Sequence, residues 1–282
     1  VPLTGFRLPL RHGHVLFEGR EVPWLPPAFD PTCSPPETLL AHMDQAGVER
    51  AWLLQSPAYG NQNALVLDAI RRWPDRFSGF ALLGPVDQPD GPDQVERLIQ
   101  AGMAGLKAMV MSTRRAYGPG FRFDGEREWK VWERLDQLRS LLVIDAMDAP
   151  PDDTVAMRRV IEEFSHLRMV QCHLGGPTQP GWEERAMLIR HPRVYGDISA
   201  LPTHFWGPDE EYPFPKAQDN LRWAVETFGA DKLMWGTDYP PPLRQATYRQ
   251  LLEYIPRHCA FLTNAQKEAL LGGTAESLLN SA

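Results

Sequence analysis

Cysteine is scarce in this chain. Three residues in 282, Cys33, Cys172 and Cys259, stand far apart. That spacing excludes a disulfide-stapled scaffold and fits a reducing cytoplasm. Long apolar runs are missing too: none approaches the ~20 residues of a membrane span. No secretory h-region or targeting peptide is evident, so no membrane partner is expected. There is no basic run, and the formal net charge is −7. Phosphate binding needs clustered Lys and Arg, so nucleic acid is not an expected partner. No G-x-G-x-x-G or P-loop follows any apolar segment, which removes the usual nucleotide sites. No interdomain linker is visible, and the expectation is one domain over residues 1–282.

What is present is a sizeable apolar fraction of 43% and 27 prolines. The prolines cluster between apolar segments, as at Pro150–Pro151 and Pro240–Pro242, which suggests ordered connecting loops. Helical spacing covers Pro36–Ala46 (with Ser34 as cap and Gly47 as stop), Asn63–Trp73, Asp93–Ala101, Glu126–Leu138, Asp153–Phe164, Glu183–Ile189, Ala217–Phe228, Tyr248–Ile255 and Ala265–Leu271. Short apolar strands lie between them at Val48–Gln55, Arg76–Leu83, Gly105–Val110, Leu141–Ala146, Leu167–His173, Arg193–Ile198 and Leu233–Asp238. Such alternation predicts an α/β chain with a parallel sheet and helical crossovers. A (β/α)8 TIM barrel is the natural architecture at this length, with a doubly wound open sheet as the alternative. Its first strand is atypical or missing. Gly5–Arg11 is the only segment left to supply it, despite Pro9. Trp129 and Trp132, three apart on one predicted helix, are expected to pack against the barrel.

Two strands end in chemistry. Leu233–Trp235 runs into Gly236-Thr237-Asp238, and the prolines then force the chain out of the sheet. A buried carboxylate needs a cation, a proton or hydrogen bonds, so Asp238 is a candidate for metal binding or proton transfer. Leu167–Cys172 ends in His173, followed by Gly175 and Gly176. In a parallel barrel both groups would point into one mouth. A third feature is His12-Gly13-His14. In an extended strand its imidazoles would share a side and suit a divalent transition metal, whereas in an exposed turn they would not.

The ordered set His42-Met43-Asp44-Gln45-Ala46-Gly47-Val48, Tyr59-Gly60-Asn61-Gln62-Asn63, Pro74-Asp75-Arg76-Phe77, Gly105-Leu106-Lys107, Cys172-His173-Leu174-Gly175, Gly196-Asp197-Ile198-Ser199 and Trp235-Gly236-Thr237-Asp238-Tyr239-Pro240 resembles the amidohydrolase-related (amidohydrolase-2) family. The resemblance spans roughly Pro26 to Ala275. It implies a barrel with its site at the C-terminal strand ends. It also implies a divalent metal: zinc first, iron or manganese next, with a metal-free site as the alternative. Asp238 inherits metal binding or water activation, and His173 a place beside the metal or the reacting carbonyl. The family's strand-five His is absent, and Asp145 stands there as a substitute oxygen ligand. The family's H-x-H sits in an apolar first strand. Here the segment around His12 looks more like the loop after that strand, with the strand itself missing or replaced. The implied metal set is His173, Asp238, His12, His14 and Asp145.

The resemblance points to an enzyme acting on a small-molecule substrate. The leading expectation is a hydrolase of an amide, ester, lactone or thioester, with Asp238, His173 and Lys107 as catalytic groups. The alternatives are a metal-dependent decarboxylase of an aromatic or unsaturated acid, and a barrel without catalysis that serves as a binding subunit. Arg114 and Arg115, in a glycine-rich loop, could clamp a carboxylate. Tyr59 and Asn63 could reach the mouth. The aromatic stretch from His204, Phe205 and Trp206 to Tyr212 and Phe214 could wall a planar substrate, or meet another copy in a homo-oligomer.

Overall fold

The computed structural model describes residues 7–82 and 90–280. The described chain opens with a small antiparallel ribbon: β1 (Leu8–Pro9), β2 (His14–Phe17) and β3 (Arg20–Pro23). Helices and strands then alternate. The order is α1 (Pro36–Ala46), β4 (Ala51–Leu53), α2 (Asn63–Arg72), β5 (Phe77–Ala81), α3 (Gly91–Gln100), β6 (Gly105–Met109), α4 (Val110–Tyr117), α5 (Glu126–Gln137), β7 (Leu141–Asp145), α6 (Pro151–Glu163) and β8 (Arg168–Gln171). It continues through α7 (Trp182–Ala186), β9 (Val194–Asp197), α8 (Leu201–His204), α9 (Pro215–Phe228), β10 (Leu233–Met234), α10 (Tyr248–His258), α11 (Asn264–Glu268) and α12 (Thr274–Asn280). Strands β4 to β10 form one seven-stranded parallel sheet in sequence order. The sheet curls as in a TIM barrel, with every strand's C-terminal end at one mouth.

Strand periodicity sorts the side chains into two layers. On β7, Leu141 and Val143 join Phe80, Val170, Cys172 and Met234 inside the curl. Leu278 of α12 belongs to the same inner cluster. Leu142 and Ile144 point the other way, into the larger core beneath the helices. Burying a side chain of this size stabilises the fold by about 1.5–3 kcal/mol. Both tryptophans of α5 pack as the helical spacing predicts. Trp132 is fully buried, stacks on Phe123 at 5.0 Å and donates its indole N–H to the Phe123 carbonyl at 2.8 Å. Trp129 lies against Phe164 with ring centroids 5.1 Å apart.

Several elements differ from the sequence reading. Of Gly5–Arg11, the described residues 7–11 are not a barrel strand. Gly5 and Phe6 lie outside the described residues, and Leu8–Pro9 pairs antiparallel with β2 in the ribbon. The cause is the turn that follows. His12 and Gly13 both take positive φ, 53° and 77°, and reverse the chain. A Cβ on Gly13 would lie 2.2 Å from the Leu25 carbonyl oxygen, so only glycine fits there. Residues 110–117 are helix α4, not loop, which puts Arg114 and Arg115 on a helix. Ser34 does not cap α1; its hydroxyl donates to the Tyr239 hydroxyl at 2.7 Å. Among the described residues no helix is long and apolar enough to cross a membrane. All three cysteines are free, with Cys33 exposed.

Candidate active site

Lys107, Asp145, Cys172 and Asp197 come from four consecutive strands, β6 to β9, or the residue just after one. Register explains the grouping: Met109 of β6 sits opposite Asp145, and Gln171 of β8 opposite Gly196. All four side chains are buried. Their floor is the inner apolar cluster. A low-dielectric floor strengthens every charge interaction above it.

The Lys107 ammonium donates to the Cys172 sulfur at 2.7 Å. Burial works against that ammonium, yet the acceptors around it, Cys172, Asp145 and Asp197, hold its proton affinity above the usual lysine range. Burial also pushes the Cys172 thiol well up. The pair is therefore an ammonium over a neutral thiol, and the carboxylates carry the countercharge.

His173 follows β8 in a left-handed conformation, φ 55°, as does Leu174, φ 50°. Ala200 and Asp238 share this backbone region, at φ 58° and 57°. Such residues cost about 1–3 kcal/mol each and gather where a site fixes unusual geometry. The His173 backbone N–H donates to Asp197 Oδ1 at 2.9 Å. The same oxygen accepts from the Ser199 N–H at 3.0 Å and from the Ser199 hydroxyl. The imidazole Nδ1 lies 2.8 Å from Ser199 Oγ and 3.1 Å from the Ser199 carbonyl. A carbonyl only accepts, so Nδ1 carries the proton. That leaves Nε2 facing Asp145 Oδ2, 4.0 Å away. Burial opposes the imidazolium, but Asp238, Asp197 and Asp145 together raise its proton affinity.

Asp238 belongs to the same field. The residue is exposed at the mouth, but partial desolvation of its carboxyl raises its proton affinity, and His173 and Lys107 pull the other way without reversing the shift. Asp197 is the contrast. Burial would raise it too, but His173 and the Ser199 hydrogen bonds leave it below the usual carboxylate range. Gly236 lets the two segments meet, since a Cβ there would lie 3.0 Å from that of Ser199. His204 stands edge-on to His173 with centroids 5.6 Å apart. Burial and the His173 charge bring it down to about 4, so it is neutral at pH 7. Among the described residues its Nε2 is buried without a hydrogen-bond partner.

Of the residues singled out from sequence, Lys107, Asp145, His173, His204 and Asp238 share this site. Others do not. Arg114 is bound to Asp153 by two 2.7 Å hydrogen bonds and donates to the Phe121 carbonyl, so it is committed to packing. Arg115 is half exposed and 3.5 Å from Asp148. Asn63 is spent bridging strand ends: it accepts from the Leu82 N–H and from Gln55, and donates to the Leu82 carbonyl. Tyr59 accepts from the Trp24 indole. Trp206 is exposed. Phe214 is buried against Tyr254, and Tyr212 packs on His258. His12 and His14 belong to the ribbon's surface and meet Asp30 and Glu21 at 3.3 and 3.9 Å. Sequence reasoning passed over Asp197 and Ser199 as functional groups. The available signal was β9 ending in a carboxylate, much as Asp238 follows β10.

The implied metal can be tested on these donors. Among the described residues no three His, Cys, Asp or Glu side chains converge on a point that could hold an ion. His173 Nδ1 and Asp197 Oδ1 are already taken, and the Lys107 ammonium occupies the cationic place amid the carboxylates. The set His173, Asp238, His12, His14 and Asp145 is therefore not assembled as a ligand cage.

Comparison with known proteins gives the family and the fold. The amidohydrolase family profile matches residues 12–280, and the chain belongs to that family. It is an enzyme of that class. A 2-pyrone-4,6-dicarboxylate hydrolase from Comamonas testosteroni is 23% identical over 94% of this chain and 89% of its own length. An amidohydrolase from Burkholderia multivorans with bound zinc shares the fold at a TM-score of 0.71, with 16% identity over 89% of each chain. A 2,6-dihydroxybenzoate decarboxylase from Rhizobium superposes at 0.65, with 17% identity over 86% of this chain and 88% of that one.

Proposed function

We propose that this enzyme hydrolyses a carbonyl bond in a small, planar, carboxylated substrate, with a lactone as first choice. One observation carries the reading: Asp238, exposed at the mouth yet raised in proton affinity, sits in the field of His173 and Lys107 beyond the strand ends. A raised carboxylate is a better general base near neutral pH than an ordinary one. Asp238 takes a proton from water as the water oxygen attacks the carbonyl carbon. Lys107 and the Nε2–H of protonated His173 stabilise the oxyanion. As the carbon–oxygen bond breaks, Asp238 returns the proton to the leaving alkoxide. Ser199 and Asp197 hold the His173 ring in place. The relative's dicarboxylated pyrone, itself a lactone, supports this substrate class. The zinc of a structural neighbour keeps metal analysis in the test, although the donors assembled here do not make a three-ligand site.

The test is Asp238→Asn assayed on lactones and esters, beside metal analysis of the wild-type protein. The expected loss in kcat is about 10²–10⁴-fold. Hydrolysis retained in that variant would remove the proposal. Decarboxylation is the second reading. It is favoured by the same raised Asp238, which when protonated could hand its proton to the carbon that loses CO2. Release of CO2 from an aromatic acid, with no water entering the product, would establish it in place of hydrolysis.

A further inference from the structure

Arg7 lies outside the catalytic cluster, at the start of the ribbon. Its backbone N–H donates to the Ala58 carbonyl at 2.7 Å, which ties the ribbon to the turn after β4. Its guanidinium lies 4.2 Å from the Trp24 ring centroid and 5.0 Å from that of Phe17. Trp24 in turn donates its indole N–H to the Tyr59 hydroxyl on the same turn. The ribbon is thus pinned to the mouth at two points. Among the described residues no carboxylate lies within ion-pair distance of Arg7. The ionisable groups that act on it through space are Tyr59, Arg115 and Asp238. A half-buried guanidinium, stacked on aromatic faces and within electrostatic reach of Asp238, still has N–H donors to satisfy.

We propose that Arg7 is a specificity-determining anion anchor, which holds a substrate carboxylate at the rim near Asp238. This rests on the reading that the mouth is the active site, and it names the chemical class bound there. Stacking fixes the plane of the guanidinium fork, so a planar carboxylate can be met bidentately at little ordering cost. Arg114 cannot do this, because Asp153 already holds it.

The probes are isophthalate and its uncharged analogue isophthalamide, titrated calorimetrically against the full chain. Arg7→Met keeps the stacking bulk and removes the charge; Arg7→Lys keeps charge without the fork. Arg7→Met should weaken isophthalate by at least about tenfold and leave isophthalamide unchanged. Arg7→Lys should fall between. The proposal is overturned if Arg7→Met binds isophthalate like wild type, if it loses both probes equally, or if wild type binds no isophthalate. The active-site reading fails separately, through turnover retained in Asp238→Asn, whatever the binding data show.

Discussion

The sequence marks imidazoles as metal candidates in two places, and the structure treats them in opposite ways. His12 and His14 stand on the ribbon, with side chains 69% and 37% exposed, each near one surface carboxylate. His173 has an 8% exposed side chain, its proton fixed on Nδ1, and three aspartates around it. The H-x-H pair is a metal motif only in an extended strand, whereas the single His closes an apolar strand. What separates them is strand context. His173 rides a parallel strand whose neighbours all end at the same mouth. His12 sits in a two-residue reversal, where alternate side chains no longer share a side.

If the mouth is an electrostatic unit, removing its one buried lysine should do the greatest damage. Lys107→Met leaves Asp145 and Asp197 without their nearest buried ammonium. Breaking a buried charge set this way costs about 3–5 kcal/mol of stability. Urea denaturation at pH 7 measures it. The folded fraction should also lose about 10²–10³ in kcat, since the oxyanion loses a cation. A variant as stable as wild type would mean that the carboxylates do not depend on Lys107.

A smaller effect sharpens the contrast between the imidazoles. His173 is raised above its ordinary 6.5. A group held protonated by the fold stabilises it fully below the unfolded value and loses that contribution as pH rises through the folded value. Stability should therefore decline above about pH 6.5, at a rate of up to about 1.4 kcal/mol per pH unit, until the folded imidazolium itself deprotonates. His173→Gln should remove that decline. Asp238 is also raised, from 3.8, so its own loss begins in a lower window and persists in the variant. An unchanged slope above pH 6.5 in His173→Gln would show that the ring is neutral in the fold.

The layout of the barrel was legible because buried parallel strands must be short, apolar and separated by helices. Asp238 and His173 could be found because each ends such a strand abruptly. The same grammar marks Asp145 and Asp197, but a sequence does not say that Asp197 is locked by Ser199 while Asp145 stands 4.0 Å from His173 Nε2. Helix α4 was hidden because Val110–Tyr117 is short and is followed by Gly118 and Gly120, which read as a loop. Arg114 and Arg115 read alike for the same reason. Only the packing of α6 shows that one is held by Asp153 and the other is not. Arg7 had no local signal, since its place depends on where a separate ribbon lands.

The smallest expected effect is the most direct test of the comparison. His12→Ala and His14→Ala each remove an exposed ring from a surface carboxylate. Exposed pairs of this kind contribute little. Asp30 also keeps its contact with Arg11, so even the ribbon's turn retains a partner. Both variants should keep kcat and KM within about twofold of wild type, because surface changes away from packed or charged clusters are close to neutral. Their pH–stability profiles should keep the decline above pH 6.5 that His173→Gln removes. A large loss of kcat in either, especially one matched by lost metal, would place these imidazoles at the mouth during turnover. The chemistry would then belong to the ribbon and the barrel together.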